Sequence, residues 1–360
     1  MSSLVRTADA ADVSAGTRSP VNWRQVGTFL SLTFGLTALL NLILWLTGGL
    51  RSPAATSVIG LQMLVPAFSA IALSMFVFRD SRIYIHSYKA RPRWFFVFFL
   101  VFTLTYAATT GVSVVLPEQS VLMNTVNMGL SVLGLMVLLF LRLTAGREAM
   151  AGVGLGGGSW IYWLIGGTSL VLFYSVQMVL NHAFGLGQRV DLASLAQQAG
   201  LTPDGLLAVS TAMTLFANPF LGIVVAFGEE YGWRGYFQTA LTKIGRVRGV
   251  LLLGVIWGLW HAPVIAMGHN FPGRPALGTV LMTIYSMLLA FVLGYVVLKT
   301  GNVLLAAFLH QLNNGFGAYL TTFWYKPDDF AFSFFAGGLY GLPLLLIVVL
   351  LILRDPVWRE

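Results

Sequence analysis

A chain of 360 residues with 57% hydrophobic and only 9% charged residues departs from soluble folded domains, which carry about 25% charged residues, so lipid must solvate most of it. The formal charge of +8 would point to nucleic acid in a soluble protein. Here the Lys and Arg residues stand mainly in short loops beside apolar runs, where they signal orientation and anionic-lipid contact, with no nucleic-acid partner. The absence of cysteine excludes a disulfide framework, a thiolate zinc site and a cysteine nucleophile.

Residues 1–25 are polar and rich in Ala, Ser and Asp, and lack a short apolar core followed by small residues at a cleavage site. They read as a disordered cytoplasmic tail. Apolar runs between charged and Gly/Pro-rich breaks then predict ten spans near 26–47, 56–78, 94–116, 121–141, 160–182, 207–228, 249–267, 277–299, 303–322 and 333–353. A helix needs about 20 residues to cross hydrocarbon roughly 30 Å thick, which these runs supply. With the N-terminus inside, 17 of the 21 Lys and Arg residues fall on the cytoplasmic side, and Arg51, Arg189, Arg274 and Lys326 remain outside.

That asymmetry predicts both termini in the cytoplasm. The expected fold is an all-α, polytopic transmembrane helical bundle of about ten spans. Short breaks at 48–55, 117–120 and 301–302 leave eight as the alternative count. The chain divides into the tail, N-terminal helices over 26–200, a core over 201–325, and a final helix with a cytoplasmic end over 326–360. Residues 185–205 interleave Val190, Leu192, Leu195 and Leu201 with Asp191, Gln197 and Gln198, the pattern of a short interfacial helix outside. The first five spans hold no obvious chemistry.

The adjacent pair Glu229 and Glu230 directly follows the apolar run LGIVVAFG. Ionisable groups at membrane depth are costly and are candidates for function. Arg234 follows Glu230 by four residues, on the same helix face. Two readings stand: a helix end snorkelling into the interface with one ordinary ion pair, or a buried site. Successive helical residues diverge by about 100°, so one salt bridge cannot serve both glutamates.

His261 lies about 12 residues, or about 18 Å, into its span, and His310 about seven residues into the ninth, with Asn314 one turn further on the same face. A single intramembrane histidine can serve as an interhelical hydrogen-bond partner. Three polar clusters in three spans, all reachable from the cytoplasmic half, point to chemistry. A carboxylate paired with an imidazole can take a proton from water, while a second imidazole and an amide donate to a developing oxyanion. Glu229, His261, His310 and Asn314 supply that set, and no Gly-x-Ser-x-Gly motif is present. Zinc stays open as the alternative, with Glu229, His261 and His310 as ligands from three helices, although the helical His-Glu-x-x-His pattern is absent.

Glu229, Glu230 to Arg234, then Trp257 to His261, then His310 to Asn314 resemble, in order, the three motifs of the CAAX protease and bacteriocin-processing family. The likeness covers about residues 205–325. Trp257 stands where phenylalanine is the commoner aromatic, a change expected to matter little to packing. The resemblance implies an intramembrane endopeptidase with no obligatory metal, in which Glu229 and His261 activate water, His310 and Asn314 form the oxyanion hole, and Glu230 and Arg234 support the site. It implies a membrane-anchored peptide or protein as substrate, the bilayer as surroundings, and a bacterial cytoplasmic membrane as location. A non-catalytic scaffold or bacteriocin self-immunity protein of the same fold is the second reading. A proton-coupled transporter is the third, disfavoured by first spans without acidic residues and by the lack of repeats.

Overall fold

The computed structural model describes residues 20–87, 90–156, 159–328 and 341–359. Most of the expected tail and the first eight residues of the final span lie outside the described residues. In hydrocarbon every backbone N–H and C=O must pair within the chain, and long apolar runs therefore close into helices. They are α1 (Trp23–Leu46), α2 (Ala55–Val77), α3 (Arg93–Val115), α4 (Ser120–Thr144), α5 (Trp160–Ala183), α6 (Pro203–Leu221), α7 (Ile223–Ile244), α8 (Arg246–Ala266), α9 (Pro275–Thr300), α10 (Val303–Phe323) and α11 (Gly341–Ile352).

Seven of these are long and apolar enough to cross a membrane, and the bent pair α6 and α7 raises the number to eight among the described residues. The protein is thus an all-α, multi-pass integral membrane protein. The 21-residue α10 has its apolar run broken by His310, Gln311, Asn313 and Asn314.

Three local departures from the sequence expectation have clear causes. The helix expected to begin at 26 starts at Trp23, because the Asn22 side chain accepts from Gln25 N–H at its first turn. The sixth span was expected to stop at 228, but the chain turns by 54° at Gly222 and then continues helically to Ile244. The Gln311 side chain occupies the place of a Cβ at Gly222, so α10 packs into the corner. In the 185–205 segment a helix forms over Leu192–Gln198, capped by Asp191. It is preceded by β1 (Gly187–Arg189), which pairs antiparallel with β2 (Tyr325–Pro327).

Helix directions and inter-loop bonds define two ends of the bundle. At one, Gln25 donates to Asp80, Arg91 to the Thr144 carbonyl, Val303 N–H to the Gly154 carbonyl and Arg246 to the Val357 carbonyl, while Lys299 pairs with Asp355 at 2.9 Å. This is the basic rim. At the opposite end β1 meets β2, Tyr325 O–H donates to the Asn181 carbonyl, and Leu50 lies near Gly268. α7 packs against α2 and α10, and α8 packs along α9. Gly228 and Gly232 lie against the backbone of Met63, Leu64 and Pro66 in α2, an approach that only small residues permit.

Candidate functional site

Glu229, His261, His310 and Asn314 line one cavity of about 390 Å³ between α2, α5, α7, α8, α9 and α10. Glu229 and His310 are buried, His261 is half-buried, and Asn314 is open to the cavity. Glu230 and Arg234 lie beneath it, at 0% and 1% exposure, which removes the reading of a helix end at the interface. The glutamates sit inside a helical rod, and the turn that follows them, Tyr231–Phe237, is a π-helical segment. Such wide turns shift the faces that side chains occupy and recur at functional sites.

The two carboxylates have separate partners, as their helical divergence requires. Glu229 Oε2 accepts from the Trp257 indole N–H at 2.8 Å. Glu230 Oε1 accepts from Arg234 Nη1 at 3.0 Å and lies 2.7 Å from His310 Nδ1. The Arg234 guanidinium stacks over the Trp257 ring, 4.1 Å from its centroid, and the His310 ring meets the edge of the same indole at 5.6 Å. Trp257 therefore separates the cavity from the buried ion pair while contacting both.

The bonds made by one ring nitrogen determine what the other can do. His261 Nδ1 lies 2.9 Å from the Trp257 carbonyl oxygen, which only accepts, so Nδ1 carries the proton and Nε2 acts on the cavity. His310 Nδ1 faces a carboxylate, which likewise leaves Nε2 as its working atom. Asn314 Oδ1 accepts from Asn313 Nδ2 at 3.2 Å, and Asn313 Oδ1 accepts from Tyr174 O–H at 2.9 Å and Tyr285 O–H at 2.8 Å. This relay occupies the oxygen of Asn314 and leaves its amide N–H groups as donors.

Sequence reasoning missed three parts of this arrangement. Tyr174 and Gln62, from α5 and α2, line the cavity, so the first five spans do contribute to it. Tyr285 and Asn313 orient Asn314, and the Asn-Asn doublet was the one available hint. The Trp257 side chain is a donor to Glu229 and not only packing, a bond that phenylalanine at this place could not make.

Among the described residues, no group of three His, Asp or Glu side chains is arranged to hold a metal ion. Two of the three would-be zinc ligands direct Nδ1 to Trp257 and Glu230. A second cavity of about 310 Å³ lies on the basic-rim side of the ion pair, lined by Arg234, Gln238, Thr242 and Arg246.

Residues 211–316 match the family described as type II CAAX prenyl endopeptidase Rce1-like, a range that includes all six residues singled out above. The CAAX prenyl protease 2 of Methanococcus maripaludis is 36% identical over 53 residues, 14% of this chain and 20% of that protein. The chain thus spans about a fifth of the length of this curated relative. No solved structure matches.

Proposed function

We propose, from the match of residues 211–316 to the type II CAAX prenyl endopeptidase Rce1-like family, that this chain is an intramembrane endopeptidase hydrolysing peptide bonds of membrane-anchored peptides or proteins. The observation that carries the proposal is the convergence of Glu229, His261, His310 and Asn314 on one cavity, with their hydrogen-bond partners directing the remaining donors and acceptors.

In this reading water sits between the unpaired Glu229 oxygen and His261 Nε2. As water oxygen bonds to the scissile carbonyl carbon, its proton passes to the Glu229 carboxylate or the imidazole. The carbonyl π bond opens to an oxyanion that accepts from Asn314 N–H and His310 Nε2–H. The tetrahedral species then collapses, the C–N bond breaks, and the departing nitrogen takes up the proton held by the base.

For His310 to donate from Nε2 while Nδ1 donates to Glu230, the ring must hold both protons. Two carboxylates with one guanidinium leave a residual single negative charge, and an imidazolium at His310 neutralises it. Glu230 and Arg234 are positioning residues in this scheme, acting through His310 and Trp257. No metal enters the steps.

The test is cleavage of fluorogenic, membrane-anchored peptides by protein purified in nanodiscs, with Glu229→Gln as comparison and with and without chelator. Loss of the base is expected to lower kcat about 10²- to 10⁴-fold. Activity that survives in Glu229→Gln would refute the mechanism, chelator-sensitive activity would return zinc to the site, and a folded wild type without cleavage would support the scaffold reading.

A further inference from the structure

The catalytic cavity and the basic rim lie toward opposite ends of the bundle. α10 starts at the basic rim, and its cavity-lining residues run from His310 through Asn314 and Ala318 to Thr321, two residues from its far end. α8 also starts at the basic rim, at Arg246, and the cavity follows it past His261 to His269 and Asn270 in the connection beyond its far end. From α2 the lining residues are Ile59, Gln62 and Met63, near the end that faces Leu50 and Gly268. Towards the basic rim the cavity ends on Trp257, with Arg234 stacked behind it.

Charge fixes which end faces the cytoplasm. Among the described residues outside the helix interiors, Lys and Arg gather at the basic rim, in the connections around 79–93, 142–147, 243–248 and 354–359. The far end has Arg51, Arg189, Arg274 and Lys326 set against Glu118, Asp191, Asp204 and Asp328. Positive residues in short loops stay on the cytoplasmic side. The expectation of a site reached from the cytoplasmic half and the orientation read from charge therefore cannot both hold, since the lining residues reach away from the basic rim.

We propose that the catalytic cavity is loaded from the extracytoplasmic face, and that its substrates are peptide segments exposed there by membrane-anchored chains. The substrate class rests on the protease reading; the direction of access does not. The polar groups along the route suit an extended peptide. Asn270, His269, Thr321 and Gln62 supply side-chain donors and acceptors between the far rim and Glu229. Among the described residues no Lys or Arg lines this cavity, and the His310 ring is paired with Glu230, so a C-terminal carboxylate finds no unpaired cation there. An internal peptide segment fits such a lining better than a free chain end.

Because the chain has no cysteine, single introduced thiols report sidedness without background. Ala318→Cys probes the cavity, Gln188→Cys the far rim and Lys243→Cys the basic rim; all three residues are exposed. In right-side-out vesicles a membrane-impermeant maleimide is expected to label Ala318→Cys and Gln188→Cys, and to label Lys243→Cys only after inversion or detergent. Labelling of Ala318→Cys only from the inverted side, or only in detergent, overturns the proposal. The readout needs no activity, so it separates from the protease reading. In the same vesicles, cleavage of an anchored peptide displayed outside supports the substrate class, and cleavage confined to inside-displayed peptide overturns it. If correct labelling comes without cleavage on either side, the protease reading fails and the access route stands.

Discussion

The Trp257 indole N–H donates to Glu229 Oε2 at 2.8 Å while the opposite part of the same side chain carries the Arg234 guanidinium, 4.1 Å from its ring centroid. One residue from α8 thereby fixes two charged residues of α7. Trp257→Phe keeps an aromatic surface for Arg234 and deletes the donor. A hydrogen bond to a charged group contributes about 1.5–3 kcal/mol, so cleavage is expected to fall roughly 10- to 100-fold. Unchanged kcat/KM in this variant would mean that the bond does not set the position of Glu229.

The tyrosine relay predicts a different kinetic signature. Tyr174→Phe or Tyr285→Phe removes one neutral hydrogen bond to Asn313, about 0.5–1.5 kcal/mol each, and should lower kcat by roughly 3- to 10-fold with little change in KM. The two hydroxyls share one acceptor, so the double variant should lose less than the product of the single losses. Multiplicative effects, or a rise in KM alone, would place these tyrosines in substrate contact instead of behind Asn314.

Arg234 is the severest substitution for folding. Arg234→Met leaves two buried carboxylates, Glu229 and Glu230, against the single charge of His310, at a cost of about 3–5 kcal/mol. The expected result is a marked drop in thermal midpoint in detergent and in folded yield. Glu230→Gln combined with Arg234→Met should recover part of that stability, because removing both charges avoids the orphaned one. A double variant as unstable as Arg234→Met would show that stacking on Trp257, not charge, dominates.

At the basic rim Asp355 accepts from Val357 N–H, Lys299 and Tyr295, which hold its carboxyl at about 2, below the usual 3.8. A folded value below the unfolded one stabilises the protein fully above the ordinary carboxylate range, and that stabilisation is lost as pH falls through about 2. Asp355→Asn should therefore lower the thermal midpoint modestly at pH 6, and the gap from wild type should narrow as pH drops from 4 to 2. A gap independent of pH would assign the effect to geometry at the last turn and not to charge.

The helical, membrane-embedded character was legible because a run of about 20 apolar residues admits few alternatives. The pairing of Glu230 with Arg234 was also legible, since spacing of four on a helix is purely local geometry. The end of the sixth span was not. Charge at Glu229 and Glu230 suggested an interface, whereas the run of aromatics and glycines after them, Tyr231–Phe237, continues into a buried helix. Contacts between distant segments left still less trace. Nothing in the sequence around Tyr174 distinguishes it from any other tyrosine in an apolar helix, and only packing brings it to Asn313 from 139 residues away. Trp257 was read as an aromatic filler because sequence spacing reports its ring and is silent about where its N–H points.

Gly228 and Gly232 set α7 directly on the main chain of α2 around Met63, Leu64 and Pro66, immediately beside Glu229 and Glu230. Side chains at a helix interface have rotamers through which they can yield, while main chain against main chain has almost none. The reference surface for the two carboxylates is thus a rigid bearing, and thickness or tension changes in the surrounding bilayer must move α2 and α7 together. That contact also sets the spacing between Glu229 and the side of the cavity formed by Gln62 and Met63. A single methyl group at Gly228 would be felt as a displacement of α7 as a whole.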